Sequence, residues 1–71
     1  MEGYKNYRKK GVQPLRPYVY GEDMTGISIS EPDRQNGSPK AGDMIAVSND
    51  NPDDKWLVAS DFFIKNYELA D

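Results

Sequence analysis

Two short apolar, β-prone runs, Met44 to Val47 and Trp56 to Ala59, flank the polar stretch SNDNPDDK, and no other feature restricts the fold of this chain so strongly. Apolar runs of this length must be buried. Joined by a segment rich in turn formers and built around Asn51 and Pro52, they predict an antiparallel hairpin. Neither run alternates cleanly between apolar and polar residues. Near-continuous apolar character belongs to a strand covered on both faces or to the middle of a curled sheet. Trp56, inside the second run, is accordingly expected to be buried, with Phe62 and Phe63 as further core residues. Beyond Ala59, Ser60 has the chemistry of a helix N-cap and Asp61 suits the positive end of the helix dipole, so a short helix is expected from about Asp61 to Tyr67.

The first half of the chain carries weaker signals. From Val12 to Tyr20, Gln13, Leu15, Pro17 and Val19 alternate with Pro14, Arg16, Tyr18 and Tyr20, which is the period of a pleated strand. The two prolines assign that strand to a sheet edge or an extended arm. GEDMTG, residues 21–26, reads as a turn, and Ile27 to Ser30 as a short strand with one buried face. Residues 31–43, EPDRQNGSPKAGD, hold almost no apolar side chain and read as a surface loop. The expected fold class is mainly β (α+β), a small antiparallel sheet or partly open barrel with one short C-terminal helix. Residues 1–11 form a basic N-terminal arm or edge strand, and residues 12–71 a single small β-rich domain.

With 71 residues the chain holds one domain at most, and its core is small against a backbone ordering cost of about 1 to 2 kcal/mol per residue. It contains no Cys and no His, so disulfides and the ordinary zinc and haem ligands are absent. No cofactor or metal is expected, and a homodimer is one way to complete such a core. No apolar run approaches the length of a membrane span, and no signal-type segment follows the basic start. A soluble, intracellular protein without membrane contact is the expectation.

Charge is distributed unevenly. Residues 1–16 carry Lys5, Arg8, Lys9, Lys10 and Arg16 against Glu2, a balance of +4, while residues 17–71 carry four cations against eleven carboxylates, a balance of −7. The basic head, with Tyr4 and Tyr7 interleaved among Lys5, Arg8, Lys9 and Lys10, offers cations for a phosphate backbone and rings for base stacking. Five cations in an acidic protein make a small footprint for nucleic acid, and a solvated arm is the simpler reading.

No enzymatic constellation emerges. Asp50, Asp53 and Asp54 supply hard oxygen ligands, but the segment lacks the Gly and the downstream Glu of a calcium loop. Glu22 with Asp23, and Glu31 with Asp33, sit in turn-forming sequence where carboxylates stay solvated. NGSPKAG does not match a phosphate-binding loop, and serine residues without any His lack the usual base.

Several short motifs occur together: YRKK from Tyr7 to Lys10, Gly42-Asp43-Met44-Ile45, Trp56 with Val58, Phe62 or Phe63, and Tyr67-Glu68. In this order they resemble a large group of small tailed-bacteriophage proteins, and RPYVYGEDMTGISIS and GSPKAGDMIAVSNDNPDDKWLVASDFF resemble small proteins of enterobacterial phages more closely. GVQPLRP departs from that pattern, which has an apolar alternating strand there. The resemblance implies a phage or prophage origin and expression in the host bacterial cytoplasm, and it implies no activity. The expected function is a non-enzymatic accessory module that binds a host or phage protein, with inhibition of a host factor as one such role. Its candidate contacts are Tyr18, Tyr20, Glu31, Asp33, Asp50, Asp53, Asp54 and Tyr67. The alternative is a small nucleic-acid-associated protein that uses the basic head.

Overall fold

The computed structural model describes residues 3–8 and 11–69. Six strands and two helices follow one another as β1 (Lys5–Arg8), β2 (Val12–Pro17), β3 (Ile27–Ser28), α1 (Glu31–Gln35), β4 (Met44–Val47), β5 (Lys55–Val58), α2 (Ser60–Asn66) and β6 (Glu68–Leu69). The fold is mainly β, as expected. The strands form one sheet in the order β3-β5-β4-β2-β1-β6. It is not closed into a barrel, and it is mixed: all pairs are antiparallel except β3 with β5.

The anticipated hairpin is β4 and β5, with Met44 opposite Val58 and Val47 opposite Lys55. All four residues of β4 are buried, in agreement with their unbroken apolar character. One face of the sheet presents Leu15, Met44, Ala46 and Val58 to α2, with Tyr7, Trp56, Phe63 and Tyr67 packed around them. On the other face lie Ile45, Val47 and Leu57, also buried. To reach β3 from β2 the chain must pass β4 and β5, and the ion pair between Arg16 and Glu22 holds that connection over this second face.

Several expectations are corrected by the packing. β2 is neither an edge nor an arm but lies between β1 and β4. Its prolines are accommodated by register. Tyr18 donates its N–H to the Asp43 carbonyl at 2.9 Å, and the β2–β4 register steps from there through Arg16 opposite Ile45 to Pro14 opposite Val47. The Val47 carbonyl that Pro14 has no N–H to serve accepts instead from the Gln13 side-chain amide. One pair further, Asn49 Nδ2 donates to the Val12 carbonyl at 2.9 Å. Pro17 faces β1 at a point where that strand, beginning at Lys5, has ended.

Residues 31–43 are not all loop: Glu31–Gln35 form α1, capped by Ser30, whose Oγ accepts from the Asp33 N–H at 3.3 Å, with Pro32 in the first turn. Ser30-Glu31-Pro32 was a legible start signal. No α1 residue is buried, which is why apolar periodicity missed it. β3 is two residues long rather than four. α2 begins at Ser60, with Ala59 as its N-cap and no side-chain cap from its own sequence. Trp56 is only half-buried, although β5 has β3 on one side of it and β4 on the other at this position. The proposed boundary at residue 11 falls inside a hairpin, since β1 pairs β2 along its whole length and β6 on its other side. Among the described residues no helix is long and apolar enough to cross a membrane.

Candidate functional site

The turn from Val19 to Glu22 presents the most exposed of the large hydrophobic side chains. Tyr20 is 89 % accessible and Val19 63 %. Glu22 N–H closes the turn on the Val19 carbonyl at 3.0 Å, and Gly21 takes the positive φ of +82° that such a turn places on its third residue. The carboxylate of Glu22 clamps it. Arg16 Nη1 and Nη2 donate to Glu22 Oε2 and Oε1 at 2.9 and 2.6 Å, and the Val19 N–H donates to Oε2 at 2.6 Å. The guanidinium hydrogen-bonded to it is the main reason the Glu22 carboxyl titrates below its ordinary value, and the same bond raises Arg16. Arg16 also lies over the ring of Tyr4, 5.6 Å from the centroid. An exposed aromatic on a turn this well tied loses little conformational freedom when it docks.

The base of the turn joins a second arrangement. Asp43 is fully buried, and its carboxylate gathers three donors: Ser38 Oγ at 2.7 Å, the Lys40 N–H at 2.9 Å and the Ser60 N–H at 3.0 Å. The last of these is a capping bond to α2 supplied from 17 residues away. Gly42 makes the approach feasible: its φ is +94°, and a Cβ there would stand 3.3 Å from the Ser60 Cβ. Thus the Gly-Asp step ties the loop after α1 to the start of α2. Between these elements lies a polar cleft of about 350 Å³ lined by Asp33, Asn36, Ser38, Lys40, Ser60 and Asp61, among others.

The expected contact residues divide between the two ends of the sheet. At the Asp43 end stand Tyr18, half-buried with its hydroxyl accepting from the Gly21 N–H at 3.3 Å, the exposed Tyr20, and Glu31 and Asp33 in α1. Asp50, Asp53 and Asp54 occupy the β4–β5 loop at the opposite end. That loop is shaped by backbone bonds to Ser48 and Asn51, and all three acids are exposed. Tyr67 is part of the aromatic cluster instead, stacked on Phe63 at 5.8 Å, and burial pushes its phenol up from the usual value. Phe63 in turn meets the Tyr7 ring edge-on at 4.9 Å.

The residues of the basic head are separated by the pleat. Lys5 and Tyr7 share the α2 face with Leu15 and Gln13, whereas Arg8 points to the other face, and Tyr4 is held by Arg16. Lys9 and Lys10 lie outside the described residues. Among the described residues no three potential metal-binding side chains come together. Sequence reasoning missed the Arg16–Glu22 clamp and the role of Asp43, both of which join residues with no periodic relation. Comparison with protein-family models, curated proteins and solved structures finds no match for this chain.

Proposed function

We propose that this protein is a non-enzymatic docking module, that its anchor is the Val19–Tyr20 turn, and that its partner is a host or phage protein in a bacterial cytoplasm. The observation that carries this reading is an aromatic residue at 89 % exposure on a turn clamped by a bidentate ion pair. Tyrosine is a preferred anchor in protein interfaces because it brings large area with few rotatable bonds. The acidic body, −7 over residues 17–71, favours encounter with a basic partner surface. A role in inhibiting a host factor fits a module of this kind. The nucleic-acid reading has less support, because Tyr7 is packed on Phe63, Tyr4 on Arg16, and Lys5 and Arg8 point to opposite faces.

Affinity capture with the whole protein from phage-infected bacterial lysate supplies the partner, and Tyr20→Ala then tests the anchor. Tyr20→Ala is expected to weaken binding roughly thirtyfold, the equivalent of about 2 kcal/mol, with the circular dichroism spectrum unchanged. Unchanged affinity on this substitution overturns the anchor assignment. Capture of DNA or RNA in place of a protein overturns the docking reading.

A further inference from the structure

Asn36 is the only asparagine in this chain followed by glycine. It is exposed, at the C-terminal cap of α1, and its side-chain amide makes no hydrogen bond among the described residues. Gly37 has no side chain to crowd its own nitrogen, and nothing lies within 4 Å of where a Cβ would stand. We propose that Asn36–Gly37 is a site of spontaneous covalent modification, at which the chain deamidates itself and loosens the Asp43 corner as it ages.

The reaction needs only water. The Gly37 nitrogen attacks Cγ of Asn36, the bond from Cγ to the side-chain nitrogen breaks, and ammonia leaves with the Gly37 proton. The resulting five-membered succinimide is opened by water at either of its two carbonyls. One opening yields aspartate, and the other yields isoaspartate, with an additional carbon in the main chain.

The fold sets the rate. Asn36 has ψ 6°, which points the Gly37 nitrogen away from Cγ, and ring closure requires a large rotation about that bond. The rotation breaks the bonds from the Gly37 N–H to the Arg34 carbonyl at 3.1 Å and from the Ser38 N–H to the Asp33 carbonyl at 3.0 Å. The last turn of α1 must therefore open first. A five-residue helix with no buried residue opens at low cost. The products do not fit back equally. Aspartate puts a charge at the negative end of the helix, partly offset by Lys40, whose Nζ already lies 3.0 Å from the Asn36 carbonyl. Isoaspartate lengthens the path to Ser38, two residues on, whose hydroxyl holds Asp43 and through it the start of α2.

The test is storage of the wild-type protein at neutral pH, followed by peptide mass mapping. The expected result is the mass gain of an amide-to-acid exchange at Asn36, in two chromatographically separable products, ahead of Asn6, Asn49, Asn51 and Asn66. Ser30→Ala, which removes the α1 cap, is expected to speed the conversion roughly fivefold, as the loss of about 1 kcal/mol from the closed helix does. In the isoaspartate fraction the Ser60 amide is expected to exchange with solvent faster than in fresh protein. Asn36→Gln is the control that abolishes the mass gain. Conversion at another asparagine first, or a Ser30→Ala rate equal to wild type, overturns the proposal.

Discussion

Asp43 concentrates more buried polar bonding than any other described side chain, and its consequences can be worked out donor by donor. Asp43→Ala leaves the Ser38 hydroxyl and the Lys40 and Ser60 N–H groups without their acceptor, the first buried and the other two partly buried beside the polar cleft. An orphaned buried donor costs about 1 to 3 kcal/mol, and only the Ser38 hydroxyl is buried, so a loss of about 2 to 3 kcal/mol is expected in urea unfolding, with a smaller loss for Asp43→Asn because it keeps one acceptor oxygen. Gly42→Ala acts on the same corner through the backbone and is expected to cost about 1 to 2 kcal/mol, since alanine resists the positive φ and its Cβ presses on Ser60. Glu22 carries a pH signature. Its folded carboxyl is depressed, so the clamp contributes fully above the unfolded value near 4.5 and is lost as pH falls through the lower folded value. The Val19 amide is therefore expected to stay protected from hydrogen exchange through mildly acidic pH and to lose protection only below the usual carboxylate range. In Glu22→Gln, which has no charge to lose, that step is expected to be absent.

At the scale of elements, β2 explains how a strand with two prolines occupies a central position. A proline in a central strand normally leaves a carbonyl of the neighbour unserved, but here the Gln13 side chain reaches the Val47 carbonyl. Gln13→Glu substitutes an acceptor facing an acceptor and is expected to destabilise the domain more than Gln13→Leu, which merely omits the donor. Chemical denaturation of the two variants measures the order, and equal stabilities would remove the Gln13 amide from the account. β5 tells the complementary story. Leu57 and Val58 are buried although β3 does not reach them, while Trp56, which pairs with both β3 and β4, is only half-covered. Truncation of a fully buried tryptophan costs about 3 to 5 kcal/mol, and Trp56→Ala is expected to fall below that range. Wild-type fluorescence should show partial access to a neutral quencher. Complete shielding would contradict the half-buried placement.

For the whole molecule, the division of acids between two ends gives the docking reading a direction. Neutralising Glu31 and Asp33, at the same end as Tyr20, is expected to slow association with a captured partner and flatten its salt dependence more than neutralising Asp50, Asp53 and Asp54 at the far end. Stopped-flow association rates at two ionic strengths distinguish the sets. A larger effect from the far set would move the contact surface to the β4–β5 loop.

The hairpin of β4 and β5, the buried β4 and a short helix after Ala59 were legible in the chain because each is a local pattern: unbroken apolar runs, turn formers between them, and aromatic residues following a polar start. Tyr20 was legible as a candidate contact, but not its near-complete exposure. The position of β2 was not legible, since whether two prolines are tolerated depends on which carbonyls their missing N–H groups would face, and that is set by the partner strand and by Gln13 and Asn49. Nor was the Asp43 corner, whose carboxylate caps a helix that begins 17 residues later. Residue identity decides what is apolar and where the backbone turns. Only tertiary register decides which donors meet which acceptors, and in this protein that pairing places β2 at the centre of the sheet, locks the Tyr20 turn and starts α2.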